Sequence, residues 1–175
     1  MVKNIFAIIL SVLLLSSCVE DDYWVTGYLD DSYVSYTLGN GYYDAGGIYY
    51  IGDIDGVNYA RETIEEIRLL GAQIEISGNF RRGDRIVGLI VDVDKVGKFE
   101  FPQINILAEN DIIILDTRKY EGFYRLMYDA IARLNFTNNF DILISGFLYD
   151  SRSSAVYDAR INTVLKTTID VRVSD

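Results

Sequence analysis

Residues 155–173 alternate between apolar and polar side chains over an unusually long stretch. The odd positions, from Ala155 to Val173, are apolar or threonine, whereas most even positions, such as Asp158 and Arg160, are polar. A two-residue period places successive side chains on opposite faces of a strand. The pattern therefore predicts a half-buried antiparallel strand, either straight or bent once.

Two shorter segments, 68–80 and 85–93, have the same period. Alternate apolar residues share one face of each segment: Leu70, Ala72, Ile74 and Ile76 in the first, and Val87, Leu89, Val91 and Val93 in the second. Residues 81–84, which include a glycine and an aspartate, separate them as a turn. This arrangement predicts an antiparallel hairpin.

Residues 119–136 have a helical period instead. The apolar positions follow the spacing i, i+3, i+4, i+7, i+8 and i+11: Phe123, Leu126, Met127, Ala130, Ile131 and Leu134. They form one face of an amphipathic α-helix, which we expect to pack on the core. A helix lying on a membrane surface is the alternative, but its polar face is not strongly basic.

Shorter apolar and aromatic runs predict the remaining elements. Strands are expected at 24–29, 33–38, 47–51, 57–61, 97–107, 111–116 and 140–149, and a short helix at 62–66. Asp30-Asp31 and Asp55-Gly56 supply turns, the second typical of a hairpin, and the wholly apolar 112–115 suits a buried strand. Pro102 marks an edge or a bulge. Many short strands with one long helix favour a mainly β domain over 23–175, an antiparallel β-sandwich or a partly open barrel.

The first eighteen residues have the pattern of an export signal. Lys3 precedes the apolar run 5–15, which is too short for a membrane-spanning helix of roughly 20 residues. The run ends in Leu15-Ser16-Ser17-Cys18, which resembles the lipobox of bacterial lipoproteins. The resemblance implies that residues 1–17 are a signal peptide. It also implies that the Cys18 sulfur carries diacylglycerol and that its new amine is acylated, which anchors the chain to a membrane.

Cys18 is the only cysteine, so it has no disulfide partner within the chain. Lipidation would remove a thiol that is otherwise a liability in an oxidising compartment. Residues 18–22 then form a lipidated acidic tether, and 19–22 resemble the surface-export signal of Bacteroidota lipoproteins. The resemblance implies an outer-membrane protein that faces the cell surface rather than the periplasm. A solvated tether without an export role is the alternative.

The net charge of −10 and the absence of histidine exclude several functions. Nucleic acid and anionic headgroups repel an acidic domain, so neither is an expected partner. The commonest general base and the commonest zinc ligand are both missing. No cofactor is therefore expected, apart from the calcium considered below.

Residues 23–59 contain nine of the fourteen tyrosines and the single tryptophan. Exposed aromatic rings can stack on sugars, whereas half-buried tyrosines pack their rings and leave the hydroxyl in water. If the region presents an aromatic surface for a glycan or an envelope protein, the candidate contact residues are Trp24, Tyr42, Tyr43, Tyr49 and Tyr50.

Asp53, Asp55 and Glu62 are spaced like positions 3, 5 and 12 of a calcium loop. Ile51 at the first position cannot ligate, and Asn58 replaces the apolar residue expected two places after the glycine. These departures exclude an EF-hand and leave a looser carboxylate site for Ca²⁺. A solvated Asp-Gly turn is the simpler interpretation.

Two further patterns suggest a binding or a catalytic role. Arg82-Gly83-Asp84 resembles the tripeptide that integrins read, although the same residues are common in turns. The carboxylate pairs Asp30/Asp31, Asp53/Asp55 and Asp92/Asp94 could serve a glycosidase if two acids faced each other across a cleft. We therefore expect a non-catalytic envelope lipoprotein that binds a glycan or protein partner, with a carboxylate-dependent hydrolase acting on glycans as the alternative.

Overall fold

Nine strands and one helix form the structure, a computed structural model that describes residues 22–59, 62–150 and 158–174. The strands are β1 (Tyr23–Tyr36), β2 (Tyr42–Tyr50), β3 (Thr63–Gly78), β4 (Arg85–Val93), β5 (Gly97–Glu100), β6 (Ile104–Asn105), β7 (Ile113–Asp116), β8 (Asn139–Tyr149) and β9 (Arg160–Ser174). The helix α1 is Glu121–Leu134, and a short 3-10 turn covers Ile51–Asp53.

The strands form two antiparallel sheets. Sheet A has the order β1-β9-β3-β7, and sheet B has the order β2-β8-β4-β5, with β6 also paired to β4. Buried side chains from both sheets and from the helix join in one hydrophobic core. The predicted mainly β fold is confirmed, and of the two architectures considered the structure has the β-sandwich.

β9 is the strand around which sheet A is built. It pairs with β1 from Tyr23↔Val173 to Tyr36↔Arg160 without a register shift, and with β3 along its other edge. Its odd positions from Ile161 to Val173 are buried, and its even positions from Asn162 to Arg172 are partly exposed. The long alternating strand predicted over 155–173 is confirmed from Arg160 onward, whereas residues 158–159 are loop and 155–157 lie outside the described residues.

The predicted amphipathic helix is also confirmed, with ends two residues inside the expected limits. All six residues of its apolar stripe are buried: Phe123, Leu126, Met127, Ala130, Ile131 and Leu134. The helix contacts β3, β5 and β8, so its apolar face packs against both sheets. Core packing, rather than a membrane surface, accounts for the stripe.

The predicted hairpin between 68–80 and 85–93 is wrong. β3 lies in sheet A beside β9 and β7, whereas β4 lies in sheet B beside β5, β6 and β8. The connection at 79–84 crosses from one sheet to the other. Alternation predicts that a segment is a strand, but it does not identify the neighbour, and β9 offers β3 a much longer partner than β4 does.

The N-terminal strands are longer than predicted. Asp30 and Asp31 do not form a turn but pair with Lys166 and Leu165 inside β1. The Asp30 carboxylate accepts a hydrogen bond from the Thr167 amide at 3.1 Å. Pairing along β9 therefore outweighs the local turn preference of two adjacent aspartates. Similarly, β2 begins at Tyr42 rather than at residue 47.

The segment that follows β2 differs most from its prediction. Residues 57–59 are loop rather than strand, and β3 begins at Thr63, so there is no helix at 62–66. Asp55 and Gly56 do not join a hairpin, because Asp55 exchanges two backbone hydrogen bonds of 2.9 and 3.0 Å with Tyr28 of β1. This loop therefore covers part of the outer edge of β1.

Two β-bulges move side chains away from their predicted faces. The β3–β9 register shifts between Leu69 and Gly71, so Leu69 is buried and Leu70 is 53% exposed. β4 shifts between Val87 and Ile90, with Gly88 at a φ of 59°, a left-handed conformation that glycine adopts without steric cost. An extra residue on one strand reverses the faces beyond it.

The remaining strands deviate in smaller ways. The predicted strand 97–107 is two strands, β5 and β6, which both pair with β4 and lie on either side of Pro102. β7 is half-buried rather than fully buried, because Ile113 and Leu115 point into the core while Ile114 is exposed.

Candidate functional site

The predicted aromatic contact residues do not form one surface. Tyr43 and Tyr49 are 1% and 3% exposed, so as contact residues they are wrong. Trp24 and Tyr50 are exposed and Tyr42 is partly exposed, but Tyr42 lies at the opposite end of β2 from Tyr50.

Tyr49 and Tyr43 are part of the core for physical reasons. The Tyr49 ring stacks on Phe140, with centroids 5.2 Å apart and an interplanar angle of 9°. Burial raises the pKa of both hydroxyls, and the neighbouring Tyr33 raises that of Tyr49 further. Both phenols are therefore protonated packing groups at neutral pH.

Two of the three carboxylates of the predicted calcium site have separate partners. Asp53 accepts a hydrogen bond from the Tyr50 amide at 3.2 Å. Glu62 accepts from the Tyr23 hydroxyl and from the Asn58 amide, each at 2.6 Å, and chiefly the Tyr23 bond lowers the pKa of Glu62. Within 22–59, 62–150 and 158–174, no three acidic or sulfur-bearing side chains come together as a metal site. The Ca²⁺ site stays a prediction from sequence.

The structure also tests the hypothesis that Arg82-Gly83-Asp84 is an adhesive tripeptide. Asp84 of the Arg82-Gly83-Asp84 tripeptide is fully buried, and its carboxylate accepts from the Arg81 amide at 2.8 Å, so an adhesive receptor could not reach it. That interpretation is wrong.

Cys18 and residues 1–17 lie outside the described residues, so the lipobox stays a prediction. Among the described helices, none is long and apolar enough to cross a membrane.

The outer face of sheet A contains a groove that the sequence did not indicate. The β3 bulge turns Leu70 outward and leaves Gly71, which has no side chain, beside Thr168 of β9. Tyr28 of β1 lies on the other side of Thr168 in the register and is 48% exposed. Together these residues enclose a cavity of about 480 Å³. We call this feature the sheet A groove.

Polar side chains complete the sheet A groove. Its lining also includes Asp30, Gln73, Asp116, Arg118 and Lys166. Lys166 Nζ lies 2.7 Å from the Glu75 carboxylate, and Gln73 donates to the same oxygen at 2.8 Å. The groove thus combines one exposed aromatic ring with fixed donors and acceptors.

Asp116 is the most strongly held carboxylate in the groove. Its Oδ1 accepts from the Arg118 amide at 2.6 Å, and its Oδ2 accepts from Arg118 Nε at 2.8 Å and from the Arg118 terminal nitrogen. The hydrogen bonds to the Arg118 side chain are the main reason that the pKa of Asp116 is lowered. Asp116 is therefore ionised at neutral pH and does not have a proton to donate.

The lowered pKa of Asp116 does not suit a general acid. A general acid needs a carboxyl whose proton is retained near neutral pH, and the lowered pKa of Asp116 is the opposite of that requirement. Stacking on Tyr28 and hydrogen bonding to Gln73 and Lys166 need no proton transfer. One sequence signal could have pointed here: a glycine inside a strand pattern, Gly71, often marks a bulge or a close approach.

Comparison with known proteins gives no family. No protein-family model matches this chain, and no curated protein matches it.

Some solved virus structures are weakly similar. A structure of Desmodium yellow mottle tymovirus shares 12% identity with a TM-score of 0.35, covering 86% of this chain and 89% of that chain. The decameric BFDV capsid protein shares 9% with a TM-score of 0.38, covering 87% and 98%. The empty head of turnip yellow mosaic virus shares 12% with a TM-score of 0.33, covering 85% and 82%. At these scores the similarity carries no argument about this chain.

Proposed function

We propose that this chain is a lipid-anchored protein of the bacterial cell envelope that binds a partner without chemical turnover. The anchor is Cys18, within the lipobox-like Leu-Ser-Ser-Cys sequence. The binding surface is the sheet A groove. The observation that carries the binding proposal is the cavity of about 480 Å³ on the outer face of sheet A, which is lined by Tyr28 and Leu70 among others.

A glycan fits this groove better than an apolar ligand does. The Tyr28 ring offers a face for stacking, and Gly71 and Thr168 leave room beside it. Gln73 and Lys166, each already oriented by Glu75, offer donors to sugar hydroxyls. A protein partner that inserts a polar loop is the alternative that the same groups would accept.

The anchor is tested by Cys18→Ala. The variant removes the only sulfur that could carry diacylglycerol, so lipid labelling and signal-peptide processing should both be lost. Ser17→Ala keeps a small residue before the cysteine and should be lipidated normally. Lipid labelling of Cys18→Ala at the level of the parent chain would contradict the anchor.

The binding surface is tested by Tyr28→Ala with Tyr36→Ala as the matched control. Both tyrosines are exposed on β1, but Tyr36 lies eight residues further along the strand and outside the groove. Losing a stacked ring should weaken binding on an envelope-glycan array by roughly 10-fold or more, equivalent to about 1.4 kcal/mol. Tyr36→Ala should bind like the parent. Equal loss in both variants would contradict the groove as the site.

The hydrolase alternative is tested on the same preparations with a panel of glycosidase substrates. Asp30 and Asp116 are the carboxylates that line the groove. We expect no turnover. Turnover that disappears in Asp30→Asn or Asp116→Asn, in a variant that keeps its melting temperature, would replace the binding proposal with the hydrolase.

A further inference from the structure

We propose that one end of the sandwich rests on the membrane and inserts exposed aromatic side chains at the level of zwitterionic phospholipid headgroups. We call it the tether end: the end at which β1 begins and β9 finishes, with the loops 51–59 and 135–138. This inference rests on the lipid anchor of the proposed function and adds an orientation and a lipid class to it.

The short tether brings this end to the bilayer. Tyr23 is fixed to the domain, because it pairs with Val173 and its hydroxyl donates to Glu62 at 2.6 Å. Only residues 19–22 separate it from Cys18. A fully extended chain covers at most about 18 Å from Cys18 to Tyr23. A lipid on Cys18 would therefore hold the tether end within roughly that distance of the membrane surface.

Connections between the sheets place the other loops at the same end. Ile51, which follows β2, donates its amide to the Asn138 carbonyl at 2.9 Å, so the two loops lie side by side. The Asn135 side chain hydrogen-bonds the backbone of Ile67, and Ile67 pairs with Val171, two residues from the partner of Tyr23. Residues 135–138 are therefore near the level at which β1 begins.

The tether end exposes aromatic rings from four separate segments. They are Tyr23 (39% exposed), Trp24 (43%), Tyr50 (45%), Tyr59 (44%) and Phe136 (89%). Among the large apolar side chains of the described residues, Phe136 has the highest exposure. Tyrosine and tryptophan are enriched where protein meets headgroups, because one part of the ring is apolar and the other can stay hydrated. This set of residues has the composition of such an interface.

The charges of the tether end select the lipid. Asp53, Asp55 and Glu62 are exposed or partly exposed in or beside its first loop. Arg68 lies 4.5 Å from the centroid of the Trp24 ring and is paired with Glu66 at 2.6 Å. Lys95 and Arg133 line a cavity with Phe136, and Asp129 lies in the same lining. Arg172 is paired with Asp22 and Glu66, at 3.6 and 3.5 Å. The acidic excess would be repelled by anionic lipid, so zwitterionic headgroups are the better partner.

Trp24 is the only tryptophan in the chain and lies within the proposed interface, so its fluorescence reports contact directly. The lipidated full chain is reconstituted into phosphatidylcholine vesicles containing lipid brominated near the headgroup. We expect about a twofold loss of Trp24 emission relative to unbrominated vesicles. The control is Trp24→Phe combined with Leu107→Trp, because Leu107 is 75% exposed in the loop between β6 and β7 at the opposite end. Its emission should not change.

The outcomes separate the two proposals. Failure of the lipidated chain to sediment with vesicles would overturn the anchor, and the orientation with it. Sedimentation with Trp24 emission that is as insensitive to bromine as that of the control would overturn the orientation alone. Replacing Phe136 and Tyr59 by serine should reduce the quenching, and unchanged quenching would contradict their insertion. Quenching that is stronger in phosphatidylglycerol than in phosphatidylcholine vesicles would contradict the lipid class.

Discussion

The side chain of Asn135 hydrogen-bonds both backbone groups of Ile67. Its Oδ1 accepts from the Ile67 amide at 2.7 Å, and its Nδ2 donates to the Ile67 carbonyl at 3.2 Å. β7 pairs with β3 only over 73–76, so these backbone groups have no strand neighbour on that side. Asn135, which follows α1, thus supplies the hydrogen bonds that a neighbouring strand would make to Ile67, and it connects the helix to sheet A.

We expect Asn135→Ala to destabilise the domain. Both hydrogen bonds to Ile67 are lost, together with the one that Asn135 Nδ2 donates to the Ala132 carbonyl at 3.1 Å, and the free energy of unfolding should fall by about 1–2 kcal/mol. Asn138→Ala is the control, because the contact of Asn138 to the rest of the fold uses its backbone carbonyl. Denaturant unfolding of the two variants checks this. A fall of equal size in Asn138→Ala would mean that the loop, not the Ile67 contact, is sensitive.

Gly46→Ala should be more disruptive than most glycine substitutions here. A β-carbon at Gly46 would lie 2.2 Å from the Ile142 carbonyl oxygen, and backbone on β8 cannot move aside as a side chain can. We expect a loss of about 2–3 kcal/mol in unfolding free energy. Gly39→Ala, with nothing within 4 Å of its β-carbon, should change stability by no more than about 0.5 kcal/mol. Similar midpoints for the two would refute the close β2–β8 approach.

Elements with a repeated period could be predicted from sequence, whereas their neighbours could not. The stripe of α1 and the alternation of β9 repeat often enough to identify both. Pairing depends on residues far apart in sequence, so alternation alone predicts that β3 pairs with β4, whereas it pairs with β9. The one-residue bulge at Leu70 exchanges the side chains of β3 that face the core and the solvent, and the alternating pattern of the sequence does not reveal it. That bulge creates the sheet A groove. The sequence pattern therefore does not predict the groove, and the high aromatic content of 23–59 points instead to Tyr43 and Tyr49, which are core residues.

The apolar stripe of α1 gives a direct test of the core. Ile131→Asp places an unpaired charge at a side chain that is fully buried, so we expect a loss of several kcal/mol, about 3 or more. Tyr128→Asp puts the same charge on the exposed face of the helix and should cost less than about 1 kcal/mol. Thermal unfolding followed by circular dichroism compares them. An unchanged melting temperature for Ile131→Asp would mean that the stripe faces water.

The raised pKa of Tyr33 makes the free energy of unfolding depend on pH in the alkaline range. Burial first, and then the hydrogen bond to Asp31 at 2.6 Å, raise the pKa of Tyr33 to about 12. The folded state therefore keeps this proton more tightly than the unfolded state does. Its stabilising effect is complete below the ordinary tyrosine pKa of about 10 and is lost as pH rises through about 12. Asp31→Asn should lower the pKa of Tyr33, measured by NMR of labelled tyrosine rings. A Tyr33 pKa that stays at its parent value would show that Asp31 has no part in the shift.

The pKa of Asp116 is shifted in the opposite direction to that of Tyr33, and the arginine that causes the shift can be replaced by mutation. Hydrogen bonds from the Arg118 side chain lower the pKa of Asp116, so the folded state releases this proton more readily than the unfolded state does. The resulting stabilisation is present above the unfolded carboxyl pKa and is lost as pH falls through the lowered folded value. Arg118→Met should raise the pKa of Asp116, measured by NMR of the labelled carboxyl.

The same substitution should reduce stability at neutral pH. The difference in unfolding free energy between the parent and Arg118→Met should disappear at a pH below the folded pKa of Asp116, because both chains then carry a neutral carboxyl. Arg125→Met, which removes an exposed pair with Glu121 on the helix, should leave the pKa of Asp116 unchanged. If both variants shift that pKa equally, the pKa of Asp116 is set by the long-range charge of the acidic domain and not by the Arg118 contact.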